Sequence, residues 1–143
     1  MGIENDRPVD LGDGRPRVRE TFTAVPESIP VVRHLLAYHL GVWGLPDLTS
    51  RLELTVGELF TNAVRHGAGP IDVSMVALPD RVRVEVHDQG GGTPEIRPVR
   101  LGGPDVGGWG LRLVDQLVDT WGTQVRPGHT TVWVEQPIPP SSP

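Results

Sequence analysis

Three short segments of the chain place acidic, carboxamide and glycine residues in an order that could do chemistry. Glu58 and Asn62, in ELFTNAVRHG, are four residues apart and therefore share one side of a helix. Asp88 precedes a glycine cluster in HDQGGG at 87–92, and a second cluster, GGWGL at 107–111, opens another helix. Such groups can take a proton, bind Mg²⁺ and hold an anion. In this order they indicate a nucleotide site without a Walker-type phosphate loop.

The Glu58–Asn62 pair has two interpretations. On a helical wheel the two residues are about 40° apart and well away from Leu52, Val56 and Ala63, so they could be a polar pair that faces solvent. Alternatively, Asn62 could give its carboxamide oxygen to Mg²⁺, which also takes water and phosphate oxygens. Glu58, one turn away, could then accept a proton from an attacking hydroxyl.

Asp88 ends a strand and stands before Gly90, Gly91 and Gly92. It could simply start a turn, which is common for Asp before Gly. As a functional group, its carboxylate could accept a hydrogen bond from the exocyclic amine of adenine and so select that base. The glycines would then let the backbone approach a flat ring closely.

The second glycine cluster consists of Gly107, Gly108 and Gly110 before a helix. Backbone N–H groups at a helix start form an anion site, although a flexible hinge is the simpler interpretation. Trp109 is interpreted as a packing residue of a lid, with a base-stacking platform as the alternative. Thr130 opens the last strand and could donate its hydroxyl near adenine.

Composition limits the possible classes of protein. The chain has 143 residues, a formal charge of −5 and no cysteine, which excludes disulfides and thiolate metal sites and fits a cytoplasmic protein. The acidic balance argues against direct nucleic-acid binding, and no apolar run is long enough to cross a membrane. All 13 basic residues are arginine, so any cation on phosphate must be Arg or a metal.

Hydrophobic periodicity predicts the elements that position these groups. The expected fold class is an α/β (α+β) two-layer sandwich with helices on one face of a mixed, mainly antiparallel sheet. We expect a disordered leader at 1–16, one domain at 17–136 and a disordered tail at 137–143. Ser28 is the expected cap of the first helix. The predicted order is a strand at 18–22, helices at 28–40 and 48–66, a hairpin at 71–77 and 81–87, a lid at 89–107, a helix at 109–119 and a hairpin at 121–126 and 130–135.

The three segments together resemble the ATP-binding domain shared by gyrase, heat-shock chaperones and sensor histidine kinases, the GHKL or Bergerat-fold superfamily. ELFTNAVRHG is similar to its N-box, HDQGGG to its first glycine box and GGWGLRLVDQLVD to its second. The His66-Gly67 ending and the closing GHTTVWVE resemble bacterial anti-sigma-factor serine/threonine kinases of the switch-protein type. The resemblance covers about residues 17–135.

The resemblance implies a role for each matching residue. Glu58 would be the general base, Asn62 the Mg²⁺ ligand and Asp88 the adenine contact. The remaining cofactor-binding positions would be His66, Gly90, Gly92, Gly108, Trp109, Gly110, Leu111 and Thr130. His129 departs from the pattern, because relatives often have Gly before the Thr.

The implied cofactors are ATP and Mg²⁺, and the implied activity is phosphorylation of an anti-anti-sigma antagonist protein by a cytoplasmic anti-sigma factor. A sigma factor would be the second partner, and a homodimer is possible. The alternative is a non-catalytic module that sequesters a sigma factor or another regulator under the control of ATP.

Overall fold

The structure is a computed structural model that describes residues 15–66, 69–89 and 120–140. Two short 3₁₀ turns, at Pro26–Ser28 and Pro46–Leu48, precede the two helices. In chain order the longer elements are β1 (Arg17–Phe22), α1 (Ile29–Val42), α2 (Thr49–His66), β2 (Ile71–Ala77), β3 (Arg81–Asp88), β4 (Thr120–Arg126) and β5 (His129–Pro137).

The described strands form one sheet in the order β1-β2-β3-β5-β4. All four pairings are antiparallel, so the parallel component of the predicted mixed sheet does not occur among these strands. Both helices pack together, and α2 also packs on β2 and β3. The predicted two-layer α+β sandwich is therefore confirmed.

Strict alternation decides which sheet face is buried. In β3, Val82, Val84 and Val86 are buried, whereas the arginines, Glu85 and His87 between them are half-buried on the other face. Successive strand residues point to opposite faces, so the apolar set faces the helices. The ring of Phe60 on α2 packs edge-on against Phe22 of β1, with 6.0 Å between centroids. This contact helps to hold the second half of α2 over the sheet.

The edges of the domain differ slightly from the sequence prediction. The carbonyl of Pro16 accepts a hydrogen bond from Ala77 N, and Ile138 N donates to the carbonyl of Asp80. The last residue of the predicted leader and the first two of the predicted tail are therefore joined to the sheet or belong to it, since β5 ends at Pro137. Ser28 does not cap α1 with its side chain, because its hydroxyl donates to the Thr23 carbonyl instead. The predicted third helix and most of the predicted lid lie outside the described residues.

The second face of the sheet bears polar side chains and Trp133. The ring of Trp133 lies directly over Gly122 on β4, and the Arg83 guanidinium lies 4.3 Å from the ring centroid. A Cβ at Gly122 would be only 2.7 Å from Cζ2 of Trp133. No described helix is both long enough and apolar enough to cross a membrane.

We predict opposite effects for two glycine substitutions. Gly122→Val should lower the free energy of unfolding by about 1–3 kcal/mol, because the added side chain must displace Trp133 from Arg83. Gly41→Ala on α1 is the control: a Cβ there meets nothing within 4 Å, and the gain in helix propensity should stabilise by about 0.5–1 kcal/mol. Urea unfolding measures both. Equal stability of the Gly122→Val and wild-type proteins would contradict the close packing.

Candidate functional site

Two polar residues continue the apolar stripe of the sheet at one end. Along β3 the core-facing residues are Val82, Val84, Val86 and then Asp88. Along β5 they begin with Thr130, and both polar side chains are buried, at 3% exposure. The period of two would put valine-like residues at both positions. A carboxylate and a hydroxyl there instead create a polar end to a hydrophobic layer.

Asp88 and Thr130 are direct cross-strand partners. The same transverse row continues through Ile71 and Phe22 on one side, and reaches Val125 of β4 on the other. Opposed residues in an antiparallel sheet point to the same face, so the whole row faces the helical layer. Phe22 and Ile71 are buried, whereas Val125 is 49% exposed. The polar pair thus lies between the covered core and the exposed edge.

Glu58 and Asn62 lie on the second half of α2. The wheel prediction that both stand well away from the core face is wrong for Asn62, which is only 7% exposed, while Glu58 is half-buried. The reason is the width of the buried arc: Asn62 is only about 60° from the buried Leu59, at the margin of the face that packs on the sheet. The other side of the helix is occupied by α1, whose Arg33 guanidinium lies against Gly57.

These side chains fit the groups that ATP and Mg²⁺ present. A buried carboxylate beside a hydroxyl can accept a hydrogen bond from an adenine amine and donate one to a ring nitrogen, with Ile71 as apolar neighbour in the row. The Asn62 carboxamide supplies the oxygen that Mg²⁺ prefers. The half-buried carboxylate of Glu58 could accept a proton from a substrate hydroxyl.

The remaining predicted positions divide into two groups. His66 is the last residue of α2, which confirms where the helix was expected to end. Five predicted nucleotide contacts and Leu111 lie outside the described residues, so their roles stay predictions: Gly90, Gly92, Gly108, Trp109, Gly110 and Leu111.

Sequence reasoning missed the bonds directly behind Asp88 and Thr130, on the second face of the sheet. This face points away from the two described helices and is called the open face below. His87 Nδ1 is 2.8 Å from Thr131 Oγ1, and His87 Nε2 is 3.1 Å from Glu85 Oε1. Arg83 also donates to Glu85, at 2.7 Å. The signal that could have revealed them was the period of two, which puts His87 and Glu85 on one face, next to the Asp88 position.

The same bonds shift the pKa of Glu85. The hydrogen bond from His87 is the largest cause; together with the bond from Arg83 it outweighs burial and lowers the pKa to about 2 from an ordinary 4.5. Burial raises the pKa of Asp72 on the neighbouring strand, but hydrogen bonds from Thr21 and Arg19 hold it below its usual value. The open face near the site therefore carries ionised carboxylates at neutral pH.

Comparison with known proteins identifies the family. The profile of the histidine kinase-like ATPase domain matches residues 22–135, and the chain belongs to this family. Membership implies that the domain binds ATP. A search of curated protein sequences finds no match.

Solved structures with the same fold share little sequence. The RsbU and RsbW domains of Rv1364c from Mycobacterium tuberculosis match with a TM-score of 0.66 at 24% identity, over 88% of this chain and 34% of that one. The histidine kinase domain of the blue-light activated histidine kinase of Erythrobacter litoralis EL346 matches with 0.51 at 24%, over 65% and 46%. The Acinetobacter baumannii histidine kinase AdeS matches with 0.54 at 14%, over 84% and 67%.

The chain therefore spans about a third of the length of the first of these structures and just under half of the second. At such identities the likeness shows the fold alone.

We predict that the Glu85 bonds stabilise the fold in a pH-dependent way. Because the folded pKa lies below the ordinary value, the stabilisation is complete above about pH 4.5 and is lost as the pH falls toward 2. Glu85→Gln should cost about 1–2 kcal/mol at pH 7, a figure reduced for solvent screening of this partly exposed side chain.

Thermal unfolding of wild-type and Glu85→Gln protein between pH 7 and pH 2.5 measures this effect, with the exposed Glu27→Gln as control. A stability difference that stays constant from pH 5 to pH 2.5 would contradict the lowered pKa of Glu85.

Proposed function

We propose that the protein is an ATP-dependent serine/threonine kinase that acts as an anti-sigma factor and phosphorylates an anti-anti-sigma antagonist protein. The observation that carries the proposal is the buried Asp88–Thr130 pair facing the helical layer, in which α2 bears Glu58 and Asn62. Such a phosphotransferase requires a group that selects adenine, a metal ligand and a proton acceptor. Asp88 and Thr130 at the end of the sheet would supply the first, and Asn62 and Glu58 on α2 the other two.

Each residue would have a separate task. Asp88 and Thr130 orient the base, and Asn62 binds Mg²⁺ through its carboxamide oxygen. Bound ATP supplies the transferable phosphoryl group. Glu58 accepts the proton of the substrate hydroxyl, and its position one turn before Asn62 keeps the base on the metal side of the helix. Phosphoryl transfer depends mainly on positioning and electrostatics, so few side chains are needed.

The partners follow from the resemblance of the sequence to the switch-protein kinases. One solved structure of the same fold contains a domain named RsbW beside a domain named RsbU, which supports a regulatory setting with a partner protein. The proposed partners are a small antagonist protein that carries the target serine or threonine and a sigma factor, both met in the cytoplasm. A homodimer is compatible with this role.

The base preference tests the nucleotide site. ATP should bind and GTP should not, because the Asp88 side chain would accept from an amine that guanine lacks at that position. Asp88→Asn should weaken ATP binding by about 10- to 100-fold, because the Asn amide offers a neutral and weaker acceptor in place of the carboxylate. Asp80→Asn, in the turn at the far end of the sheet, is the control. Calorimetry with equal affinities for ATP and GTP would overturn the assignment.

The enzymatic role depends on Glu58. Glu58→Gln should keep ATP binding but slow phosphate transfer by about 10²–10⁴-fold, because Gln cannot take the proton. The measurement is single-turnover transfer of labelled phosphate to the antagonist protein, so that product release does not mask the chemistry. Glu53→Gln on the same helix is the matched control.

Two outcomes would change the proposal. Transfer by Glu58→Gln as fast as by wild type would remove Glu58 from the mechanism. Tight ATP binding by the wild type without transfer to candidate partners would favour the nucleotide-gated binding module over the kinase.

A further inference from the structure

His87 bonds two other side chains on the open sheet face. Its Nδ1 is 2.8 Å from Thr131 Oγ1 on β5, and its Nε2 is 3.1 Å from Glu85 Oε1 two residues earlier on β3. The carboxylate of Glu85 is itself held by Arg83, which bonds to Glu135 of β5 as well. The imidazole thus links Glu85 of β3 to Thr131 of β5, one pair before the end of the ladder between these strands.

The position of this link relative to the site is set by strand geometry. His87 and Thr131 are direct cross-strand partners, and the next pair along the ladder is Asp88 with Thr130. Consecutive residues point to opposite faces, so the two pairs lie back to back through the sheet. Asp88 is also the last residue of β3. Strand ends open most readily, so a side-chain bond one residue before this end restrains the polar pair.

We propose that His87 is a positioning residue for the nucleotide site: by bonding Thr131 from the open face, it holds the strand ends that present Asp88 and Thr130 to the opposite face. The inference rests on the proposed role of Asp88 and Thr130 in binding the base. His87 itself touches no nucleotide, because its side chain is on the other side of the sheet.

The surrounding charges define how the imidazole is bonded. Asp72, its cross-strand partner on β2, is paired with Arg19, and Glu85 is paired with Arg83. Glu85 is an ionised acceptor at neutral pH, so Nε2–H donates to it. Nδ1 then accepts from the Thr131 hydroxyl, which completes the link between β3 and β5.

A double-mutant cycle tests the role. His87→Val and Thr131→Val should each weaken ATP binding by about 3- to 10-fold, because each removes the hydrogen bond between the strands that positions the site. His87→Val also removes the bond to Glu85, so the double variant should bind no more weakly than His87→Val alone. His87→Asn keeps an acceptor near the Nδ1 position and should restore most of the affinity.

Calorimetry with ATP, well below the unfolding temperature of each variant, is the measurement. A loss of stability alone would leave the affinity of the folded protein unchanged, so affinity separates positioning from simple stabilisation. Ser74→Val, on the same open face of β2, is the control that should bind ATP like wild type. Thr131→Val also serves as the second variant if His87→Val does not fold.

Wild-type affinity in His87→Val or in Thr131→Val would overturn the proposal, as would additive losses in the double variant. Failure of the wild-type protein to bind ATP, or unchanged affinity in Asp88→Asn, would overturn the nucleotide site itself. The two failures are therefore distinguishable.

Discussion

The antiparallel ladder between β3 and β5 joins parts of the chain that are 42 residues apart at Asp88–Thr130 and 56 apart at Arg81–Pro137. Its register pairs Val84 with Val134, Val86 with Val132 and Asp88 with Thr130. A slip of one residue would turn every side chain of one strand to the wrong face, so burial of the valines fixes the register strongly. The same register then sets the polar pair at the end of the ladder. The hydrophobic core and the candidate site thus depend on one pairing.

The two faces of that ladder bear different kinds of side chain. The face toward the helices supplies apolar burial and ends in the polar pair of the site. The open face satisfies its charges internally: Arg81 and Arg83 both pair with Glu135, and Arg83 reaches Glu85 as well. Exposed ion pairs contribute little singly, but several that share partners across two neighbouring strands restrain strand positions. The bonds on the open face can therefore influence the site without contacting its ligand.

The helical layer bears the other two candidate site residues, Glu58 and Asn62, on α2. The apolar stripe of α2 packs on β2 and β3. Phe60 of α2 also packs against Phe22, which lies in the same transverse row of the sheet as Asp88. The buried position of Asn62 follows from that docking. Solved structures that share a quarter or less of their residues with this chain have the same fold.

Sequence by itself determined the elements and the types of chemical group. Alternation of valines in β3 and the apolar stripe of α2 are local patterns, so both elements and the buried sheet face could be predicted from the residues. Asp88, Thr130, Glu58 and Asn62 became candidate site residues because their types and spacing resemble a nucleotide site. Only the tertiary structure decided that Asp88 and Thr130 are direct partners, since strand register between distant segments is a non-local property. It also decided that Asn62 is buried, because the width of a buried helical arc depends on what packs around the helix.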